Sequence, residues 1–125
     1  MPDRWLEAAR QGEVQRAIVE SVPLPTILHN EEQVLYANPA ALRLYGARDL
    51  SEMVGKNIFE LAHPDSESAA RERVALIYTR GLDGQRLATK IVTLDGRALN
   101  CVVTAYPLHL LGRDLIITVV MSTER

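Results

Sequence analysis

A single cysteine, Cys101, stands among the 125 residues, so no internal disulfide framework can staple this chain, and so sparing a use of thiols suits a reducing compartment. A basic excess is missing too: 14 Lys and Arg against 16 Asp and Glu leave a net charge of −2, with no acidic tail and no long run of one sign. Nucleic acid is therefore not an expected partner, because nothing supplies the basic face it requires. There is no apolar run long enough to span a membrane. The opening MPDRWLEAARQ carries Asp3, Arg4, Glu7 and Arg10 where a signal peptide would be uninterrupted, and a cytoplasmic domain is the expectation. Absent as well are a G-x-S-x-G elbow, a P-loop and a glycine-rich dinucleotide fingerprint, since the glycines stand singly at turns. No histidines, cysteines or acids fall at metal-ligand spacing, so no metal site is expected.

What is present is local punctuation. Val34–Gly46, VLYANPAALRLYG, encodes a strand, a helix start and a helix stop. Asn38 reads as an N-cap, Pro39 falls at the first helical position, and Gly46 sits where a left-handed residue closes the helix. So short a helix must be packed onto a sheet by Leu42 and Tyr45. Upstream, 3–21 is helix-like, with Trp5, Leu6 and Ala9 and then Val14, Ala17 and Ile18 at spacings of three and four, broken at Gly12. Pro23 and Pro25 end it and lead into an extended Thr26–His29, a turn at Asn30–Glu32, and the Val34–Ala37 strand as a hairpin partner.

Asp49–Met53 and Asn57–Leu61 read as short helical pieces broken at Gly55. A longer helix is expected from about Ser66 to Arg80, capped by Asp65 or Ser66, with Ala70, Val74, Ile77 and Tyr78 on one face and Glu67, Arg71 and Glu72 on the other. Three strands follow, Gln85–Leu94, Ala98–Tyr106 and Leu115–Met121. Asp95-Gly96 marks a tight hairpin and Pro107–Gly112 a looser connection. LIITVVM is apolar at successive positions, which demands cover on both faces and places this strand centrally. The whole reads as an α+β domain on a five-stranded sheet, one domain with a core of its own.

In their order and spacing, several segments between Glu20 and Arg125 resemble the PAS domain family: SVPLPTILHNEEQVLYANPAAL, YGARDLSEMVGKNIFEL, His63-Pro64-Asp65, Leu94-Asp95-Gly96 and the closing Thr123-Glu124-Arg125. The resemblance implies a five-stranded antiparallel sheet cupped around a pocket by short helices and one longer helix, with sensing or dimerisation in place of catalysis. Residues 1–22 would form an N-terminal helical cap on the opposite face, 23–122 the PAS domain, and 123–125 the start of a linker to an output domain. Two departures stand out. Asn30 and Glu32 replace the family's Asp and Gly in the first hairpin, and Met121-Ser122-Thr123 replaces Asp-Ile-Thr, the usual route of transmission to an outgoing helix.

The resemblance also bears on cofactors. In the light-oxygen-voltage branch a reactive cysteine forms the flavin adduct, and Ile58 of Gly55-Lys56-Asn57-Ile58 holds that place, so covalent-adduct flavin chemistry is not expected. The long helix lacks the axial histidine of haem-binding members, and His63 before it reads as a loop residue. Cys101 reads as a small buried hydrophobe. Candidates for a pocket lining are Tyr36, Leu42, Tyr45, Ile58, Val74, Tyr78, Cys101 and Val103, which would suit a small apolar or aromatic ligand. Packing of the same side chains into a closed core is the alternative, and would leave a pure protein-interaction domain. A small α+β enzyme is a further alternative, with no convergent ionisable set to support it. Trp5, Leu6 and Ala9 are expected to cover Val102 and Tyr106 on the outer sheet face, within one subunit or across a homodimer.

Overall fold

The computed structural model of the chain describes residues 23–81, 85–110 and 112–123. Five antiparallel strands, β1 (Thr26–His29), β2 (Val34–Ala37), β3 (Gln85–Val92), β4 (Ala98–Leu110) and β5 (Arg113–Ser122), form one sheet in the order β2-β1-β5-β4-β3. Two α-helices, α1 (Pro39–Tyr45) and α2 (Pro64–Arg80), and two 3-10 turns, Leu50–Glu52 and Ile58–Leu61, lie in the long connection between β2 and β3. The expected helical cap at 1–22, with Trp5, Leu6 and Ala9, lies outside the described residues, as do Glu124 and Arg125 of the expected linker.

The Val34–Gly46 punctuation does more than begin and end a helix. Asn38 spends its backbone carbonyl on Leu42 in the first turn of α1 (3.0 Å), so that oxygen is lost to the β1–β2 ladder. The side-chain oxygen replaces it, accepting from Thr26 N and Ala41 N at 2.9 Å each, while the side-chain amide donates to the Leu24 carbonyl at 2.9 Å. One fully buried asparagine thus joins the strand ladder, the helix cap and the approach to β1. Gly46, at φ 74°, closes α1 in the left-handed region. In the first hairpin the Asn30 side chain bridges the turn, accepting from Glu32 N and Gln33 N at 2.7 Å, so Asn30 supplies the closure and Glu32 is not called on to mimic glycine.

Several boundaries differ from the sequence reading, β5 among them, which runs from Arg113 to Ser122. The cap of α2 is His63, whose Nδ1 accepts from Asp65 N at 3.1 Å, and Pro64 takes the first helical position that suits its fixed φ, so the helix starts before Ser66. β4 runs on through Pro107 to Leu110, because β5 pairs with it along its whole length from Leu110↔Arg113 to Cys101↔Ser122. β3 stops at Val92: Thr93 turns the chain, its amide donating to Arg97 O at 2.8 Å, and Leu94 N ties the turn to Tyr45 O at 2.9 Å.

β5 is central, between β1 and β4, as its run of apolar residues requires. Its inner residues Ile116 and Val120 are buried beneath α2, while outward Ile117 and Val119 are half-buried and Met121 is 46% exposed. Both rims of the sheet are covered. The 55–58 segment bonds along β2 (Val34 N to Lys56 O and Gly55 N to Val34 O, 2.9 Å each), and the start of α2 is fastened to β3 by His63 N to Lys90 O (2.8 Å) and Lys90 N to Ser66 Oγ (3.0 Å).

Candidate functional site

Every second residue of the sheet points toward the helices, and where α2 and the Ile58–Leu61 turn bridge that face they leave a cavity of about 100 Å³. The sheet contributes Ile27, Leu87, Ile91, Val103, Ala105, Ile116 and Val120, the helical side Ala70, Val74 and Ile77, and the turn Ile58, Phe59 and Leu61. These are apolar. The polar groups in the wall are His29, Tyr45, Arg73, Thr89 and Thr118.

His29 has no capacity to spare. Its Nδ1 lies 2.8 Å from the Asn30 carbonyl oxygen, which can only accept, so that nitrogen carries the proton. Nε2 then accepts from the Thr118 hydroxyl at 2.7 Å. Burial pushes the imidazole pKa down to about 4, against the opposing pull of the Asn30 bond, and the ring is neutral at pH 7. Burial also raises the Tyr45 phenol above its ordinary range, helped by the nearby Cys101.

Arg73 is the anomaly of the site. Its Nε and Nη2 are buried and have no hydrogen-bond partner among the described residues, and burial lowers its pKa, although a guanidinium remains charged. Arg71, two residues earlier, shows the ordinary arrangement: it pairs with Glu67 at 3.1 Å and lies over the Phe59 ring at 4.2 Å. Arg73 also borders a second hollow, about 190 Å³, between α2 and the β3–β4 side of the sheet, together with Glu72, Leu76 and Arg86. Among the described residues no acid lines the first cavity.

Tyr45, Ile58, Val74 and Val103 of the expected lining share the cavity wall, whereas Tyr36, Leu42, Tyr78 and Cys101 do not. Tyr36 pairs with Leu28, and Leu28 with Ile117, which sets all three on the outer face. Leu42 packs onto the core beneath α1, and Cys101, 2% exposed, is embedded in that core. Tyr78 reaches past the cavity to donate its hydroxyl to Asp114 O at 3.0 Å. The opposite face of the sheet carries a shallow groove of Leu24, Arg86, Val102, Thr104, Tyr106, Val119 and Met121, so Val102 and Tyr106 do lie together there. Among the described residues no cluster of three or more His, Cys, Asp or Glu could hold a metal, and no helix is long and apolar enough to cross a membrane.

The family profile described as the PAS fold matches residues 15–122. The chain is a PAS domain. Its architecture is that of solved PAS and LOV structures. The Rhodobacter sphaeroides LOV protein aligns with a TM-score of 0.74 at 18% identity, over 100% of this chain and 70% of that one. The PAS domain of an HTR-like protein from Haloarcula marismortui aligns at 0.71 and 16% identity, over 90% and 96% of the two chains. That of Bordetella pertussis BvgS aligns at 0.68 and 20% identity, over 92% and 88%. At such identities the likeness speaks for the fold alone. No curated protein matches the sequence. In this PAS domain the cavity therefore has to be interpreted from its own residues.

Proposed function

We propose that this PAS domain is a non-catalytic sensory module whose cavity takes a small ligand with an apolar or aromatic body. The observation that carries the reading is the cavity itself, lined by side chains from the sheet, α2 and the Ile58–Leu61 turn, so that an occupant touches several elements at once. A ligand that fits one packing of α2 on the sheet better than another shifts the balance between them by its differential affinity. Catalysis has no support in the wall, where His29 is neutral with both ring nitrogens engaged.

Flavin is not the ligand we propose. An engineered cavity of about 150 Å³ holds one benzene ring, and about 100 Å³ is too little for a tricyclic isoalloxazine. The aliphatic Ile58 lines the wall at the place the family resemblance gives to the adduct-forming cysteine.

The outer groove is where the signal would leave. Leu24, Tyr106 and Met121 are 40%, 44% and 46% exposed, a patch suited to the apolar stripe of the N-terminal segment or to a second copy in a homodimer. An output domain in the same or a partner protein would then sense that packing from the cytoplasm. Titration with benzene, followed by methyl NMR, tests the site. Saturable shifts at Ile77, Val103 and Ile116 are expected; unchanged spectra up to the solubility limit of benzene would mean a filled core and an interaction domain. A monomeric mass by light scattering at tens of micromolar would remove the homodimer.

A further inference from the structure

We propose that the cavity selects a small organic monoanion, a carboxylate on a compact apolar or aromatic body, and that Arg73 is the residue that reads its charge. The inference rests on the cavity being a ligand site and adds the chemical class of the ligand.

The two orphaned nitrogens decide the class. Nε and Nη2 lie on one edge of the planar guanidinium with their N–H bonds parallel, the arrangement that meets both oxygens of a carboxylate in a fork. Buried donors without acceptors are costly, and more so on a cation. The helix accounts for their position: Arg73 is three residues after Ala70 and four before Ile77, so it shares the face of α2 that lines the cavity. No acid stands among the described residues of the wall, so on this reading an occupant supplies the acceptor.

Charge and size narrow it further. His29 is neutral and the Thr118 hydroxyl is donated to it, which leaves Arg73 as the one positive charge among the described residues of the cavity wall, while Glu72 and Arg86 in the adjoining hollow are of opposite sign. A single guanidinium balances a monoanion, whereas a phosphate monoester would bury a second, unpaired charge. The volume, about two thirds of the benzene-holding reference cavity of roughly 150 Å³, suits a short branched chain or one ring accommodated by modest side-chain movement. Arg73 stands where the cavity adjoins the hollow beside Glu72 and Arg86, so the carboxylate would sit at that junction with its apolar body directed inward.

The test is a matched pair, benzoate and benzamide, titrated calorimetrically into the full chain and into Arg73→Met, with Arg73→Gln as the second variant should the first fail to fold. Benzoate is expected to bind at least about tenfold tighter than benzamide to the unaltered chain, with the ratio falling to about one in either variant while benzamide still binds. Equal binding of the pair to the unaltered chain would overturn charge selection and leave the ligand site standing. A preference for benzoate that survives in the variants would overturn the role of Arg73. Failure of both probes to bind would overturn the inference together with the site.

Discussion

Replacing Arg73 with methionine is expected to make the unliganded domain more stable. Two guanidinium nitrogens are buried without acceptors among the described residues, and each such orphan costs about 1–3 kcal/mol when fully desolvated. The side chain as a whole is only half-buried, so water reaches part of the group and the penalty has to be cut roughly in half. Methionine keeps an unbranched stem to pack beside Val74 and Ile77 and removes the charge. The net expectation is a gain of about 1–3 kcal/mol, read from urea unfolding at unchanged slope. Arg73→Ala, which also discards the stem, should gain less or lose. Saturating benzoate should narrow the gap by about 1.3 kcal/mol, because at a hundred times the dissociation constant a ligand adds about 2.7 kcal/mol to the unaltered chain and about 1.4 kcal/mol to a variant that binds it tenfold more weakly. A methionine variant less stable by more than about 1 kcal/mol without ligand would refute the reasoning, since it would mean that the guanidinium already has an acceptor. A binding residue that destabilises its own scaffold is a trade between stability and function.

Asn38→Ala removes a cap bond worth about 1 kcal/mol and orphans Thr26 N, while the Leu24 carbonyl still accepts from the Thr26 hydroxyl, so a loss of about 2–4 kcal/mol is expected in denaturant unfolding; a loss below about 1 kcal/mol would show the bonds to be replaceable. For His29 the folded pKa of about 4 lies below the unfolded value of 6.5, so the unfolded chain binds more protons between those limits. Stability should therefore fall as pH drops from 6.5 toward 4, by about 3 kcal/mol at most, and His29→Gln should flatten that part of the curve; an identical slope in the variant would assign the acid sensitivity elsewhere. Ile116→Ala, at a fully buried cavity position, should cost about 2–5 kcal/mol while admitting larger apolar probes, and unchanged probe size limits would argue that the cavity is not the binding site.

The topology was legible because the chain announces its turns and its central strand. Asn38-Pro39 and Gly46 delimit α1, Asp95-Gly96 turns β3 into β4, and LIITVVM is apolar on both faces because it lies between β1 and β4. Ends were less clear. Pro107 reads as a breaker in isolation, yet pairing along β5 carries β4 past it to Leu110. The cavity was half legible. Tyr36 was misplaced because a strand of four residues, with a bulge between Leu28 and His29 in its partner, gives too little alternation to fix which face is inward. Arg73 is absent from the expected lining because its charge hides a spacing from Ala70 and Ile77 that puts it on the apolar face of α2. His29 could not have been found from spacing, since its partner Thr118 is 89 residues away.

The sensory reading is tested most directly by methyl and backbone NMR of both sheet faces as benzoate is added to saturation. Shifts are expected first at Ile77, Val103 and Ile116 around the cavity and, with the same midpoint, at Val102, Val119 and Met121 on the opposite face, where the signal would leave. Movement confined to the inner set would describe a receptacle that relays nothing, and would contradict the proposed role.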